Sequence, residues 1–127
     1  MKYYNEVQTD KSFEEALTAV RNSLQNAGFR VVSEINMQQK LRDSLGHSMN
    51  GYMILGACSP KHALTAITHE PNIGVLLPCN IIVAENNDGT CRVAAVNPLV
   101  AMQSVGNNQL EAMATEVNSM LENALKL

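Results

Sequence analysis

The sequence predicts one α+β domain: about five strands packed by helices, closed by a long C-terminal amphipathic helix. Three observations predict it. Segments near both ends carry apolar residues at helical spacing behind explicit capping residues. Short runs rich in β-branched and aromatic side chains lie between them. An Asp88-Gly89 dipeptide joins two such runs, which is a strong hairpin signal. The 127 residues suffice for one core and are too few for two ordinary domains. With no repeat, linker or low-complexity stretch, residues 1–127 are expected to form a single domain.

Tyr3 to Thr9 reads as the first strand. Ser12 and Glu15 form a capping box, and Phe13, Leu17, Val20 and Leu24 then fall on one stripe, with Ala16 and Ala27 between. Gly28 stands where a left-handed cap ends a helix. Phe29 to Ile35 is the second strand. Asn36 caps a short helix whose Met37, Leu41 and Leu45 recur every four residues until Gly46. Gly46 to Gly51 is polar and glycine-flanked, a loop able to move.

Tyr52 to Cys58 is apolar almost throughout, so it reads as a strand buried on both faces. Ser59-Pro60 starts a helix, because proline at the first helical position gives up an N–H that has no partner anyway. Ala63, Leu64 and Ile67 are expected to face the core from it, and it ends before Pro71. Ile73 to Glu85 holds another strand interrupted by Pro78, which cannot donate to a ladder. That strand is therefore at an edge, bulged, or begins only after Pro78. Thr90 to Val96 returns from the turn, and Asn97-Pro98 opens a short helical turn broken at Gly106-Asn107. Asn108 and Glu111 make the last cap signature. Leu110, Met113, Ala114, Val117, Met120, Leu121, Ala124 and Leu125 form the final apolar stripe.

Composition removes several classes. Nine Lys and Arg against twelve Asp and Glu leave a net charge of −3, without the basic footprint of a nucleic-acid or anionic-membrane binder. No apolar run nears the roughly 18 residues of a transmembrane helix. The first residues lack an apolar signal region, so no secretory signal is expected. Three cysteines do not suit a paired disulfide framework, and the expected setting is a reducing cytoplasm. Dinucleotide, Walker, zinc-protease and serine-hydrolase motifs are absent from the sequence. Trp is absent and Phe and Tyr are few, which removes a base-stacking platform.

The chemistry concentrates at one place. Cys58-Ser59-Pro60-Lys61-His62 puts a thiol at a strand end and an imidazole one turn into the next helix. The positive helix terminus favours a thiolate there. Leu77-Pro78-Cys79-Asn80 brings a second thiol if the two strands pair. Cys58, His62 and Cys79 would then offer a nitrogen and sulfur set for a soft or borderline metal such as zinc, or a redox pair. The bland reading makes both thiols small buried hydrophobes. Asn80 either ties down the Pro78 irregularity or points into a pocket. Cys91 reads as inert, His47 and His69 as solvated, and Met37, Met113 and Met120 as core. Met49 and Met53, beside Gly51, stay as ligand contacts.

Gly56-Ala57-Cys58-Ser59-Pro60, then Gly74-Val75-Leu76-Leu77-Pro78-Cys79-Asn80, then Asn97-Pro98, resemble the bacterial and archaeal family called Domain of Unknown Function 302. Ser12-Phe13-Glu14-Glu15-Ala16 and Ala27-Gly28-Phe29 are similar to that family's opening helix and turn. The resemblance runs from about residue 8 to the C-terminus. It implies a compact, mostly antiparallel sheet packed by helices in a TATA-binding-protein-like arrangement, and a homodimer. It implies no activity, so no catalytic residue carries over. The matching motif positions are Cys58, Pro60, Pro78, Cys79 and Asn80. Many relatives carry an acidic residue before the last proline, where this chain has Asn97.

Three functions stay open. The first is a cytoplasmic homodimer binding a small ligand or soft metal near Cys58, Pro60, His62, Pro78, Cys79 and Asn80. The second is an enzyme with Cys58 as nucleophile or redox centre. The third is a structural or protein-interaction dimer whose motif residues only brace the bend at Pro78.

Overall fold

In the computed structural model, which describes residues 1–127, the chain runs β1 (Tyr4–Thr9), α1 (Phe13–Asn26), β2 (Arg30–Asn36), α2 (Met37–Leu45), β3 (Tyr52–Cys58), α3 (Pro60–His69), β4 (Cys79–Glu85), β5 (Cys91–Val96), α4 (Pro98–Gln103) and α5 (Glu111–Ala124). Short 3₁₀ turns at Ile73–Leu76 and Asn108–Leu110 precede β4 and α5. The strands form one sheet in the order β1-β5-β4-β3-β2, every pairing antiparallel. The α+β architecture expected from the sequence is the one present.

Local chemistry sets the first helix. Ser12 Oγ accepts from the Glu15 amide at 3.3 Å, and Glu15 Oε1 accepts from the Ser12 amide at 3.1 Å. Two first-turn donors are thereby satisfied. Beyond the helix, Gly28 takes a φ of 99°, which a residue with a Cβ adopts only under strain. Leu17, Val20 and Leu24 of α1 and Val117 and Leu121 of α5 pack on Leu55, Ile81, Val83 and Val93. Alternation along the strands thus turns one face of the sheet to both long helices. Each of those side chains, once buried, contributes about 1.5–3 kcal/mol.

A smaller apolar cluster of Ala66, Ile73 and Leu110 sits under α3. No helix is long and apolar enough to cross a membrane.

Strand β4 begins at Cys79, immediately after Pro78, which is one of the three arrangements expected; it lies inside the sheet between β3 and β5, and the proline sits outside the ladder. Several other expectations need correction. The register irregularity falls in β2, between Val31 and Ser33. Helix α2 buries no residue, and its Leu45 is 75% exposed despite the four-residue recurrence. In α3 the buried positions are His62 and Ala66, whereas Leu64 and Ile67 are exposed. The Asn108 and Glu111 cap does not form; Asn107 Oδ1 instead accepts from the Gln109 amide at 2.9 Å.

The loop between Gly46 and Gly51 is tied at its far end. Asn50 Nδ2 donates to Asn87 Oδ1 at 2.8 Å, and the Gly51 amide donates to Glu85 Oε1 at 3.2 Å.

Candidate functional site

Antiparallel pairing of β3 and β4 sets Ala57 opposite Cys79. The end of one strand, with Cys58, therefore lies beside the start of the other. Gly56 makes this junction possible. A Cβ there would collide with Ser33 Oγ and come within 2.6 Å of Pro78 Cγ. The chain then turns through Ser59 into α3, which leans over the strand ends.

Beneath α3 is a cavity of about 370 Å³. Ala66, Leu77, Pro98, Met102 and Val117 form much of its wall, and Cys58, Ser59, His62 and Cys79 are its chemically distinctive members. It opens between the main core and the smaller cluster under α3.

Of the residues the sequence singled out, Cys58, His62, Pro78 and Cys79 line this cavity. Pro60 does not; it is exposed at the first position of α3. Asn80 does not either. It is exposed, and it lines a depression on the other side of the sheet with Tyr4, Tyr52 and Arg92. Successive strand residues point to opposite faces, so Asn80 turns away from the cavity under α3, although it lines a shallower depression at the strand start with Pro78 and Cys79. Of the two methionines kept as ligand contacts, Met53 belongs to the main core and Met49 lies outside the cavity. Met102 and Met113 line it instead.

His62 is the chemically loaded side chain. It is 9% exposed. Its Nδ1 lies 2.7 Å from Ser59 Oγ. Ser59 occupies the cap position of α3, yet its hydroxyl makes no cap hydrogen bond. On the other side of the ring, Nε2 is 3.3 Å from Glu116 Oε2 on α5. That approach is off the line of a hydrogen bond, so Nε2 is buried without a hydrogen-bond partner. Glu116 is itself exposed. Neither Ser59 nor Glu116 stood out in the sequence as part of the site. The serine was hidden in its role as a cap, and the glutamate lies far along the chain.

The thiols behave differently from the expectation of a paired reactive set. Cys58, Cys79 and Cys91 are all free. Burial, and secondarily the neighbouring Cys58, pushes the Cys79 thiol up to about 11. Cys91 is fully buried in the core, and burial, with Glu85 adding to it, pushes its thiol up too. No group of three or more His, Cys, Asp or Glu side chains is gathered closely enough to hold a metal ion. Cys58, His62 and Cys79 thus share a cavity without forming the zinc-type set expected of them.

Among curated proteins, none matches the chain. The crystal structure of an uncharacterised conserved protein DUF302 from Bacillus stearothermophilus superimposes with a TM-score of 0.91, over 98% of this chain and 97% of that one. The two sequences are 22% identical, so the likeness shows a shared fold. Residues 5–127 match the profile described as Domain of unknown function DUF302, and the chain belongs to that family, whose function is unknown.

Proposed function

We propose that this protein binds a small, mostly apolar molecule in the cavity under α3. The carrying observation is the cavity itself: about 370 Å³, walled chiefly by apolar side chains, with His62 and Ser59 at one side. Ligand sites commonly have this character, a chamber of about 300–1,000 Å³ with few, placed polar groups. Apolar burial supplies the affinity and the polar pair orients the ligand. A metal has no part in this reading. Thiol chemistry is disfavoured at Cys79, which burial holds protonated at neutral pH.

The test is thermal unfolding with increasing 1-octanol, for the wild type and for Ala63→Phe, which fills the chamber from α3. A ligand at a hundred times its Kd adds about 2.7 kcal/mol to stability. A saturable rise in Tm for the wild type, absent in Ala63→Phe, is expected. A response that is flat, or equal in both, would overturn the reading.

Two further parts belong to the proposal. We infer a homodimer, supported by the exposed apolar side chains of Val32, Leu64 and Val75, which a partner copy would cover. Light scattering at micromolar concentration should give twice the chain mass, and a monomer would contradict it. The unpaired thiols of Cys58 and Cys79 support a reducing, cytoplasmic setting.

A further inference from the structure

The geometry points to an acyl-transfer site, with Ser59 as nucleophile and His62 as its base, acting on the ester carbonyl of a short apolar acyl compound held in the cavity. It rests on the reading of that cavity as an apolar-ligand site. Ser59 and His62 both line it, and their Oγ and Nδ1 are 2.7 Å apart, the separation a nucleophile and base need.

The surroundings of the ring choose its tautomer. Glu116 Oε2 is 3.3 Å from Nε2. With the proton on Nε2, the positive N–H edge of the ring lies near the carboxylate, though off the hydrogen-bond line; with the proton on Nδ1, a lone pair would lie near that negative charge instead. The first arrangement is the favourable one, and it leaves Nδ1 as an acceptor for the Ser59 hydroxyl proton. Ser59 is also free for this work, because it does not cap α3. The same helix start supplies donors. The Lys61 and His62 amides, in the first turn, donate to no backbone or side-chain acceptor. They lie at the positive end of the helix, where negative charge on a carbonyl oxygen is stabilised.

The reaction balances with water as the only co-reactant. Ser59 Oγ bonds to the acyl carbon as its proton moves to His62 Nδ1. The carbon–oxygen bond to the alcohol then breaks, and that proton leaves with the alcohol. Water attacks the acyl-serine, giving its proton to Nδ1, and the acid departs as Ser59 regains a proton. Glu116 is a positioning residue: its carboxylate lies beside the imidazolium that forms in each half.

The test is labelling of the full-length protein by a short-chain alkyl fluorophosphonate, read by intact mass and peptide mapping. Oxygen–phosphorus bond formation at serine expels fluoride, mimicking acylation. One adduct on Ser59 is expected, formed about 100-fold more slowly in His62→Gln, as loss of a general base requires. Glu116→Gln should label more slowly than Glu116→Asp, a difference that a merely packed side chain would not produce. No adduct on the wild-type Ser59, or adducts spread over several serines at rates that His62→Gln leaves unchanged, would overturn the inference. Octanol-dependent melting of the same samples separates the two readings. Binding without Ser59 labelling overturns acyl transfer alone, and absence of both overturns the ligand site as well. Labelling of Ser59 without an octanol response overturns the cavity as the place where the acyl chain binds.

Discussion

Ser59 Oγ lies 2.7 Å from His62 Nδ1, and this contact takes the place of the helix cap that Ser59 would otherwise make. A serine in the cap position ordinarily accepts from the second or third amide of its helix. Here it faces a buried imidazole whose other nitrogen has no hydrogen-bond partner. The pair joins the strand end at Cys58 to the helix over the cavity, so the local turn and the candidate site are one construction.

Removal of the hydroxyl should therefore be felt in stability. Ser59→Ala leaves Nδ1 of a buried histidine without its partner, which costs about 1–3 kcal/mol. Urea unfolding checks this. A loss near zero would mean that the imidazole finds water or another partner, and that the contact does not hold the helix start in place.

Ser12→Ala is the control at the other end of the molecule. Ser12 is exposed and its only side-chain partner is the Glu15 amide. The lost cap should cost about 1 kcal/mol in the same titration. The octanol response should not change, because α1 does not line the cavity.

Cys79 gives a pH dependence with a definite sign. Its thiol is raised from an ordinary 9.0 to about 11 in the folded protein, mainly by burial. Between those values the unfolded chain loses the proton while the folded chain keeps it. The unfolded state thus binds fewer protons, and stability falls as pH rises across that interval. Cys79→Ala should flatten the decline between pH 9 and 11, measured by urea unfolding at a series of pH values. Iodoacetamide should also modify Cys79 slowly at neutral pH, since the thiolate is the reactive form. Rapid modification there would contradict the buried, protonated thiol.

Gly56 is expected to tolerate no side chain. A Cβ would meet Ser33 Oγ and Pro78 Cγ, groups on both neighbouring segments. Gly56→Ala should cost about 1–3 kcal/mol through overpacking. Ser33→Ala in the same chain should recover part of it, since it removes the nearer obstacle. A neutral Gly56→Ala would show that the strand ends are loosely joined.

How legible these features are depends on how local their causes are. The capping box of Ser12 and Glu15 is readable because both partners lie within one turn. The stripe from Leu110 to Leu125 is readable because one long face meets the core. In α3, the sequence offers apolar residues at Ala63, Leu64, Ala66 and Ile67, on more than one face. Only packing decides that His62 and Ala66 turn inward while Leu64 stays 69% exposed. Strand alternation makes legible that Asn80 and Cys79 do not both face the cavity under α3, whereas the depression that Asn80 shares with Pro78 and Cys79 depends on how the chain enters β4. The neighbourhood of Glu116 and His62 was out of reach, because it depends on how α5 crosses α3. The family resemblance rested on the Cys58-Ser59-Pro60 and Leu77-Pro78-Cys79-Asn80 pieces in order, and the profile match over residues 5–127 agrees with it.

Uptake of a small apolar molecule by the cavity under α3 can be weighed by native mass spectrometry of the wild type and Ala63→Phe titrated with 1-octanol. One octanol per chain, saturating, is expected in the wild type, and none in the filled variant. Bare chain mass throughout, or equal uptake by both proteins, would contradict it.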